Sequence, residues 1–345
     1  MAKRQGRQAQ RLLKDLFKQK KAGLSALAVA AAAVVLLTLS TLSLLPFSFP
    51  TWGDAYTLVT GEPYDTALVF TPAEIPSATQ QENPPPEMLG GAQMSVYIID
   101  VGQGSSTLFT TGDNSILIDA GENDQGDTVL DCLQTLGIDR LDYMIGTHPH
   151  SDHIGGMDDV LKSVTVDHVI LPKVPSAIVP TTKTYEDVLT ELTEKKIKVL
   201  PATPGKSYAV GAMKLDILGP AADFDDLNNE SVVSKITFGR TRVLVSGDAE
   251  KQAEKAVLEK GFNLLSDIYI AGHHGSSTSG SKAFLDAIMP SYAAVSCGVN
   301  NDYGHPSAST LQAFADRKIT VNRTDLNGTI VYTTDGENIA VKTQR

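Results

Sequence analysis

Three imidazoles and a carboxylate fall within six consecutive residues in the run Gly146-Thr147-His148-Pro149-His150-Ser151-Asp152-His153-Ile154-Gly155-Gly156. Imidazole nitrogen and carboxylate oxygen are ligands that Zn²⁺ and Mn²⁺ accept. His148 and His150 are two residues apart, so in an extended segment their side chains point the same way. Asp152 and His153 follow where the chain must turn, and can face a second ion nearby. The chain has seven histidines, and three of them are here, which argues against a polar loop that merely happens to contain histidine.

Three other stretches set ligand-type residues beside glycine turns. Ser246-Gly247-Asp248 follows the run 243–245. A carboxylate there, after a glycine that lets the backbone turn, is well placed to bridge two cations. Ala271-Gly272-His273-His274-Gly275-Ser276 follows the run 268–270, and Asp302-Tyr303-Gly304-His305-Pro306 holds one more histidine. Six of the seven histidines therefore lie in three glycine-flanked loops at expected strand ends. The seventh, His168, sits inside a strand pattern and reads as structural. Asp119 also ends an apolar run and reads as a carboxylate that orients the ligand loop by hydrogen bonding. Asp100-Val101-Gly102-Gln103-Gly104 lacks the third glycine and the following helix of a dinucleotide loop, which excludes that reading.

The elements that must position these loops are legible from hydrophobic period. Strands are expected at 95–101, 106–110, 115–119, 141–145, 168–171, 210–218, 268–270, 293–296, 319–322 and 329–333. A hairpin over 231–245 turns at Gly239-Arg240. Helices are expected at 128–136, 157–164, 185–196, 250–260, 282–288 and 309–318; in the first, Val129, Leu130, Leu133 and Leu136 share a face. Strands and helices alternate with hairpins mixed in, which predicts two packed sheets flanked by helices rather than one purely parallel sheet.

The 345-residue chain is strongly uneven in charge. Residues 1–21 carry eight Lys/Arg and one acid, Asp15, whereas the whole chain is −11, leaving −18 for the remainder. An acidic body is not the usual electrostatic footprint of broad nucleic-acid binding. Cys132 and Cys297 are far apart and form no metal-ligand pair. Residues 22–45 are uncharged, long enough as a helix to span a bilayer core of about 30 Å. The basic block before them places everything after them outside the cytoplasm. The expected organisation is a basic cytoplasmic segment (1–21), a single transmembrane helix (22–45), a juxtamembrane segment and Pro-rich linker (46–93), and a catalytic domain (94–345). A cleaved secretory signal is the alternative reading of the apolar stretch.

The run His148-Pro149-His150-Ser151-Asp152-His153 resembles the HxHxDH signature of the metallo-β-lactamase superfamily. Residues 100–104, 116–121, 147–156, 246–248, 273–276 and 303–306 together resemble the extracellular metallo-hydrolase domain of ComEC-type competence proteins, over roughly residue 94 to the C-terminus. The resemblance implies a four-layer αββα sandwich, an α/β fold, with the metal site along one edge of the sheets, and a bacterial cell-membrane protein with its C-terminal domain extracellular. It implies one or two divalent ions, Zn or Mn. His148 and His150 hold one ion, and Asp152, His153 and His273 hold the other, with Asp248 between them. Asp152 and His305 are the implied catalytic residues, and His274, Ser276 and His305 line the substrate side. The superfamily's further histidine on the first ion is missing here, leaving water, Asn228 or Asn229 to complete it. Ser105 stands where the family loop has an acid. One span is too few for the DNA channel of such proteins.

The expected function is a membrane-anchored, metal-dependent hydrolase acting on phosphodiesters, single-stranded DNA among them, through metal-activated water. Two alternatives remain: a lactonase or other ester hydrolase on the same metal core, and a non-catalytic metal-binding module that presents DNA or cell-wall polymer to a partner.

Overall fold

The computed structural model describes residues 90–345. The first half of that span supplies β1 (Met94–Ile98), β2 (Thr107–Thr111), β3 (Asn114–Ile118), β4 (Arg140–Ile145), β5 (Thr165–Leu171) and β6 (Lys198–Pro201). The second half supplies β7 (Ser207–Val210), β8 (Met213–Ile217), β9 (Ser234–Phe238), β10 (Thr241–Val245), β11 (Ile268–Ile270), β12 (Tyr292–Val295), β13 (Thr320–Arg323), β14 (Ile330–Thr334) and β15 (Ile339–Thr343). The helices are α1 (Gly126–Thr135), α2 (Ser151–Ile154), α3 (Met157–Ser163), α4 (Lys183–Glu194), α5 (Lys251–Glu259), α6 (Lys282–Ile288), α7 (Ala308–Asp316) and α8 (Thr324–Asn327).

Two sheets form, in the orders β15-β14-β1-β2-β3-β4-β5-β6 and β13-β12-β11-β10-β9-β8-β7. Each is antiparallel in one half and parallel in the other: β3 to β6 run parallel, as do β10 to β13. Period-two alternation decides which face each side chain joins. Ile116 and Ile118 point between the sheets, where they meet Ile236, Val243, Val245 and Ile268. Leu117 points outward under Val129 and Leu133 of α1, Val160 of α3 and Val188 of α4. In the second sheet Leu244 and Tyr269 point outward under Val257 of α5, Phe284 of α6 and Phe314 of α7. Four layers thus stack as helices, sheet, sheet, helices around three apolar clusters, and the central strands are buried on both faces, as parallel strands require.

The topology puts chemistry at one rim. Register pairs Ile118 with Ile145, and Val245 with Ile270. The carboxyl ends of β3, β4, β10, β11 and β12 therefore finish level with their neighbours. That is where α/β sheets place ligand loops.

Three differences from the sequence reading have physical causes. The strand expected over 210–218 is β8, and a hairpin turned at Gly211 with φ 56° joins it to β7 before it. Strands β6, β7 and β15 were not anticipated. All three lie at sheet edges and are largely solvent-facing, so none shows an apolar alternation to read. The membrane placement is corrected. The basic segment, the apolar stretch 22–45 and the linker up to residue 89 lie outside the described residues. Among the described residues no helix is long and apolar enough to cross a membrane. The longest, α4, has 12 residues, about 18 Å against a core of about 30 Å.

Candidate metal centre

Among the described residues, one group brings ligand atoms together in the manner a cation needs. Asp152, His153, Asp248 and His274 each offer one atom, all within 4.8 Å of one another. Asp152 and His153 come from α2, immediately after β4; Asp248 follows β10; His274 follows β11. Three loops distant in sequence meet because their strands are neighbours at one rim.

Each buried imidazole is aimed by what holds its far nitrogen. Asp119 is fully buried and accepts from the Thr147 backbone N–H (2.8 Å), the Thr147 hydroxyl (2.8 Å) and His153 Nδ1–H (2.7 Å). A carboxylate is acceptor-only, so the proton sits on Nδ1 and His153 Nε2 faces the cluster. His274 Nδ1–H donates to the Ser296 carbonyl (2.9 Å), which turns its Nε2 onto Asp152 Oδ2 at 3.1 Å. The hydroxyl of Thr147 is spent on Asp119, so its lone pairs face His148 Nδ1 (3.3 Å), which also lies 3.3 Å from Ser231 Oγ. His148 Nε2 is thereby presented inward, 2.9 Å from His150 Nδ1.

The backbone is bent to achieve this. Asp119, His273 and His274 all take positive φ (61°, 49° and 53°) without being glycine. That conformation costs roughly 1–2 kcal/mol per residue and persists where surrounding structure enforces it, commonly at working sites. Gly104 shows the closeness of packing: a Cβ there would sit 2.6 Å from the Asp152 carbonyl oxygen.

A cation fits this cluster. His153 Nε2 and Asp248 Oδ1 lie 3.1 Å apart, yet both are buried without a hydrogen bond. Unsatisfied buried polar atoms converging on one point are costly unless something bridges them. The charge balance says the same. Burial pushes the His153 imidazolium down, but Asp248 and Asp119 outweigh it and hold it well above the ordinary histidine value. Burial likewise opposes charge on His274, and Asp248 and Asp152 overcome it. Asp248 is held well below the usual carboxylate range against burial, chiefly by His153 and His274. The pocket thus collects positive charge where a dication would place it, and its N/O donor set suits a divalent metal ion.

The family model described as the metallo-beta-lactamase superfamily matches residues 99–299. The chain belongs to the metallo-β-lactamase superfamily. It is similar to ComE operon protein 3 of Bacillus subtilis (strain 168), 33% identical over 257 residues, covering 69% of this chain and 32% of that protein. It is also similar to competence protein ComA of Neisseria gonorrhoeae, 29% identical over 252 residues, covering 72% and 33% respectively. The chain spans about a third of the length of these ComEC-type relatives. Among solved structures, the metallo-β-lactamase fold protein YhfI from Bacillus subtilis aligns with a TM-score of 0.45 at 14% identity, over 73% of this chain and 100% of that one.

Within this superfamily site, several residues sit differently from the sequence expectation. His274, expected on the substrate side, joins the four-residue group, and His273, expected as the ligand, stands outside it. His273 Nε2 lies 3.6 Å from Asp248 Oδ2, and its Nδ1 is 3.3 Å from Glu250 Oε1. The reason is the left-handed pair of residues after β11, which swings the second ring rather than the first toward Ser296. His148 Nε2 lies 3.8 Å from Asp248 Oδ2, but His148 and His150 belong to no group of three or more among the described residues. Asn229, expected near the first ion, is spent elsewhere: its Oδ1 accepts from the Glu250 and Ala253 N–H groups at the start of α5, and its Nδ2 donates to Asp226. Ser276 is buried and used within its own turn, on Thr278. Ser105 works through its backbone: its N–H donates to the Asp152 carbonyl (2.9 Å) and its carbonyl accepts from Gly121 (2.9 Å). His168 stacks on Tyr143, rings 5.1 Å apart, away from the cluster.

The cluster opens into a groove of about 510 Å³ bordered by His150, Asp152, His273, Tyr303 and His305. Sequence reasoning missed Thr147, Ser231, Glu250 and Tyr303. The first two are signalled only by adjacency to a ligand or by a hydroxyl brought in from 83 residues away.

Proposed function

We propose that the chain is a metal-dependent phosphodiesterase whose substrate is a nucleic acid strand. The carrying observation is the cluster of Asp152, His153, Asp248 and His274, with the far nitrogens of both imidazoles tied off so that Nε2 atoms and carboxylate oxygens converge. The names of its relatives, a competence protein and a recombination protein among them, support nucleic acid over other diesters. Asp152, His153, Asp248 and His274 would hold the ion, which would supply Lewis acidity toward a phosphoryl oxygen and a nearby water.

The chain's own residues supply the rest. Asp119 and Thr147 fix His153, and Ser296 fixes His274, so the donor set is rigid before any substrate arrives. Asp152 is the partly exposed carboxylate of the cluster and borders the groove, where it orients the attacking water by hydrogen bonding. His305, on the same groove wall, is held below the ordinary histidine value by burial and by His273 and His274. It meets the leaving oxygen as a neutral hydrogen-bonding ring rather than a stored acid.

The test is hydrolysis of bis(p-nitrophenyl) phosphate and of single-stranded DNA by the purified chain, with elemental analysis of the same preparation. Turnover that disappears with chelator and returns with Mn²⁺ or Zn²⁺ is expected. Undiminished turnover after the metal is stripped rejects the mechanism. The net charge of −11 favours a second reading, an ester or lactone hydrolase on the same core, because no electrostatic field draws a polyanion in. Lactone turnover without phosphodiester turnover selects it.

A further inference from the structure

We infer that Tyr303 is a stacking platform for a nucleobase next to the scissile linkage, a subsite for a planar ring at the mouth of the metal groove. The inference rests on the phosphodiesterase reading and adds how the strand is held. Tyr303 is 71% exposed, unusual for an aromatic ring bordering a groove. Its ring lies 5.7 Å from that of His305 at 24°, and His305 lies 6.5 Å from His274 at 23°. Both separations fall within the range of offset-stacked aromatic pairs. Three rings thus step outward from the cluster in near-parallel planes, and the outermost leaves much of its surface to solvent.

The loop that carries Tyr303 is built to hold it there. Asn301 accepts from the His305 N–H (3.0 Å) and donates to the His305 carbonyl (2.7 Å) and the Gly298 carbonyl (3.0 Å). Three hydrogen bonds from one side chain clamp an otherwise exposed turn. A fixed, open aromatic face needs less ordering when a ligand lands on it.

The composition of the groove says why stacking is needed. None of its bordering residues is Lys or Arg, while Glu122, Asp152 and Asp248 are there. Backbone phosphates therefore find no lysine or arginine there, and the bound ion meets only the scissile one. Affinity for the rest of a strand must come from a contact indifferent to charge. Base stacking on an aromatic ring is such a contact, and it requires an unpaired base.

The experiment compares Tyr303→Ala and Tyr303→Phe with the parent chain on two substrates, in added Mn²⁺. One is a short single-stranded oligodeoxynucleotide; the other is the same strand with an abasic sugar at the cleavage position. Tyr303→Ala is expected to raise KM for the base-bearing strand by roughly five- to 150-fold, with kcat within about threefold. Tyr303→Phe is expected to match the parent, and the abasic strand to erase the difference. Equal losses on both strands, or no change on either, overturn the inference. Binding of a dye-labelled, nuclease-resistant phosphorothioate oligothymidylate, read as fluorescence anisotropy, covers the case in which the parent turns over no phosphodiester. A Kd raised by the Ala variant and restored by Phe keeps the subsite while the catalytic reading fails. No binding by the parent removes both.

Discussion

Oδ1 of Asp248 faces His153 Nε2 at 3.1 Å and His274 Nε2 at 3.8 Å, whereas Oδ2 faces His273 Nε2 at 3.6 Å and His148 Nε2 at 3.8 Å. The same carboxylate thus serves two neighbourhoods of the same residue type, and they differ in charge. On the first side Asp152 joins Asp248 against two imidazoles; Asp248 with Asp119 holds His153, and Asp248 with Asp152 holds His274, above the ordinary histidine value. On the second side the only acid facing the inward Nε2 atoms is Asp248, Glu250 lying instead on the far nitrogen of His273 at 3.3 Å, and His148 is held well below that value by burial and then by His153. Being a histidine near a carboxylate does not make a ligand. Which acids face the inward nitrogen, and the group holding the far nitrogen, decide which side is ready for a dication.

Removing the shared residue tests both sides at once. Asp248→Ala is expected to lose the bound ion and more than about 100-fold in turnover, beyond the range for residues that merely orient a ligand; elemental analysis and phosphodiester assay on one preparation check it. The comparison sharpens when the paired histidines are split. His274→Ala is expected to purify without the ion of the Oδ1 side, while His273→Ala keeps that ion and loses about tenfold in turnover. Metal contents in the opposite order would falsify the division between the two sides.

That division is the part the sequence did not disclose. The run 148–153, the tip at Asp248 and the pair His273-His274 were all legible, because each combines ligand chemistry with a strand end and a glycine turn. The two-sheet fold was legible too, because central strands such as 116–118 and 268–270 are apolar on both faces. Which of two adjacent histidines turns inward depends on φ values near +50° and on a carbonyl at Ser296. Neither leaves a mark in residue type. The role of Asn229 was hidden for a similar reason: its partners begin a helix that starts 22 residues later, so no local capping pattern announces it.

Weaker perturbations probe how each side is held. Asp119→Ala removes the acceptor that fixes His153 while leaving every ligand atom in the chain. It is expected to weaken metal affinity by about 10–100-fold, read by competition with a chromophoric chelator. An unchanged affinity would mean that His153 needs no external orientation. The pH dependence of the metal-free protein separates the two sides further. His153 and His274 have raised values, so their stabilisation is complete below the unfolded value of 6.5 and is lost as pH rises through their folded values. His148 and His150 have lowered values, so their contribution is lost as pH falls below 6.5. Metal-free protein should therefore be most stable near pH 6.5, its Tm falling on the order of a few degrees toward pH 8 or so. Added Mn²⁺ should remove the alkaline decline, because the ion replaces the protons on the Oδ1 side. A decline that persists with the ion bound would place those protons elsewhere.

The smallest expected effect belongs to Asn229, and it bears on whether the Oδ2 side has a protein ligand still to be found. Both ends of its amide are spent: Oδ1 accepts from the N–H groups of Glu250 and Ala253, and Nδ2 donates to Asp226. An oxygen that satisfies helix-start donors is worth about 1 kcal/mol, so Asn229→Ala should lower Tm by about 2–4 °C and leave metal content unchanged. Asn229→Asp keeps the acceptor and suits the positive end of α5, but it sets a second carboxylate against Asp226, where the amide N–H had donated. It should therefore recover little of the loss at neutral pH and more as pH falls through the carboxylate range. If Asn229→Ala instead stripped an ion, the amide would belong to the Oδ2 side as a ligand, and that side would be a second cation site rather than a set of imidazoles beside the first.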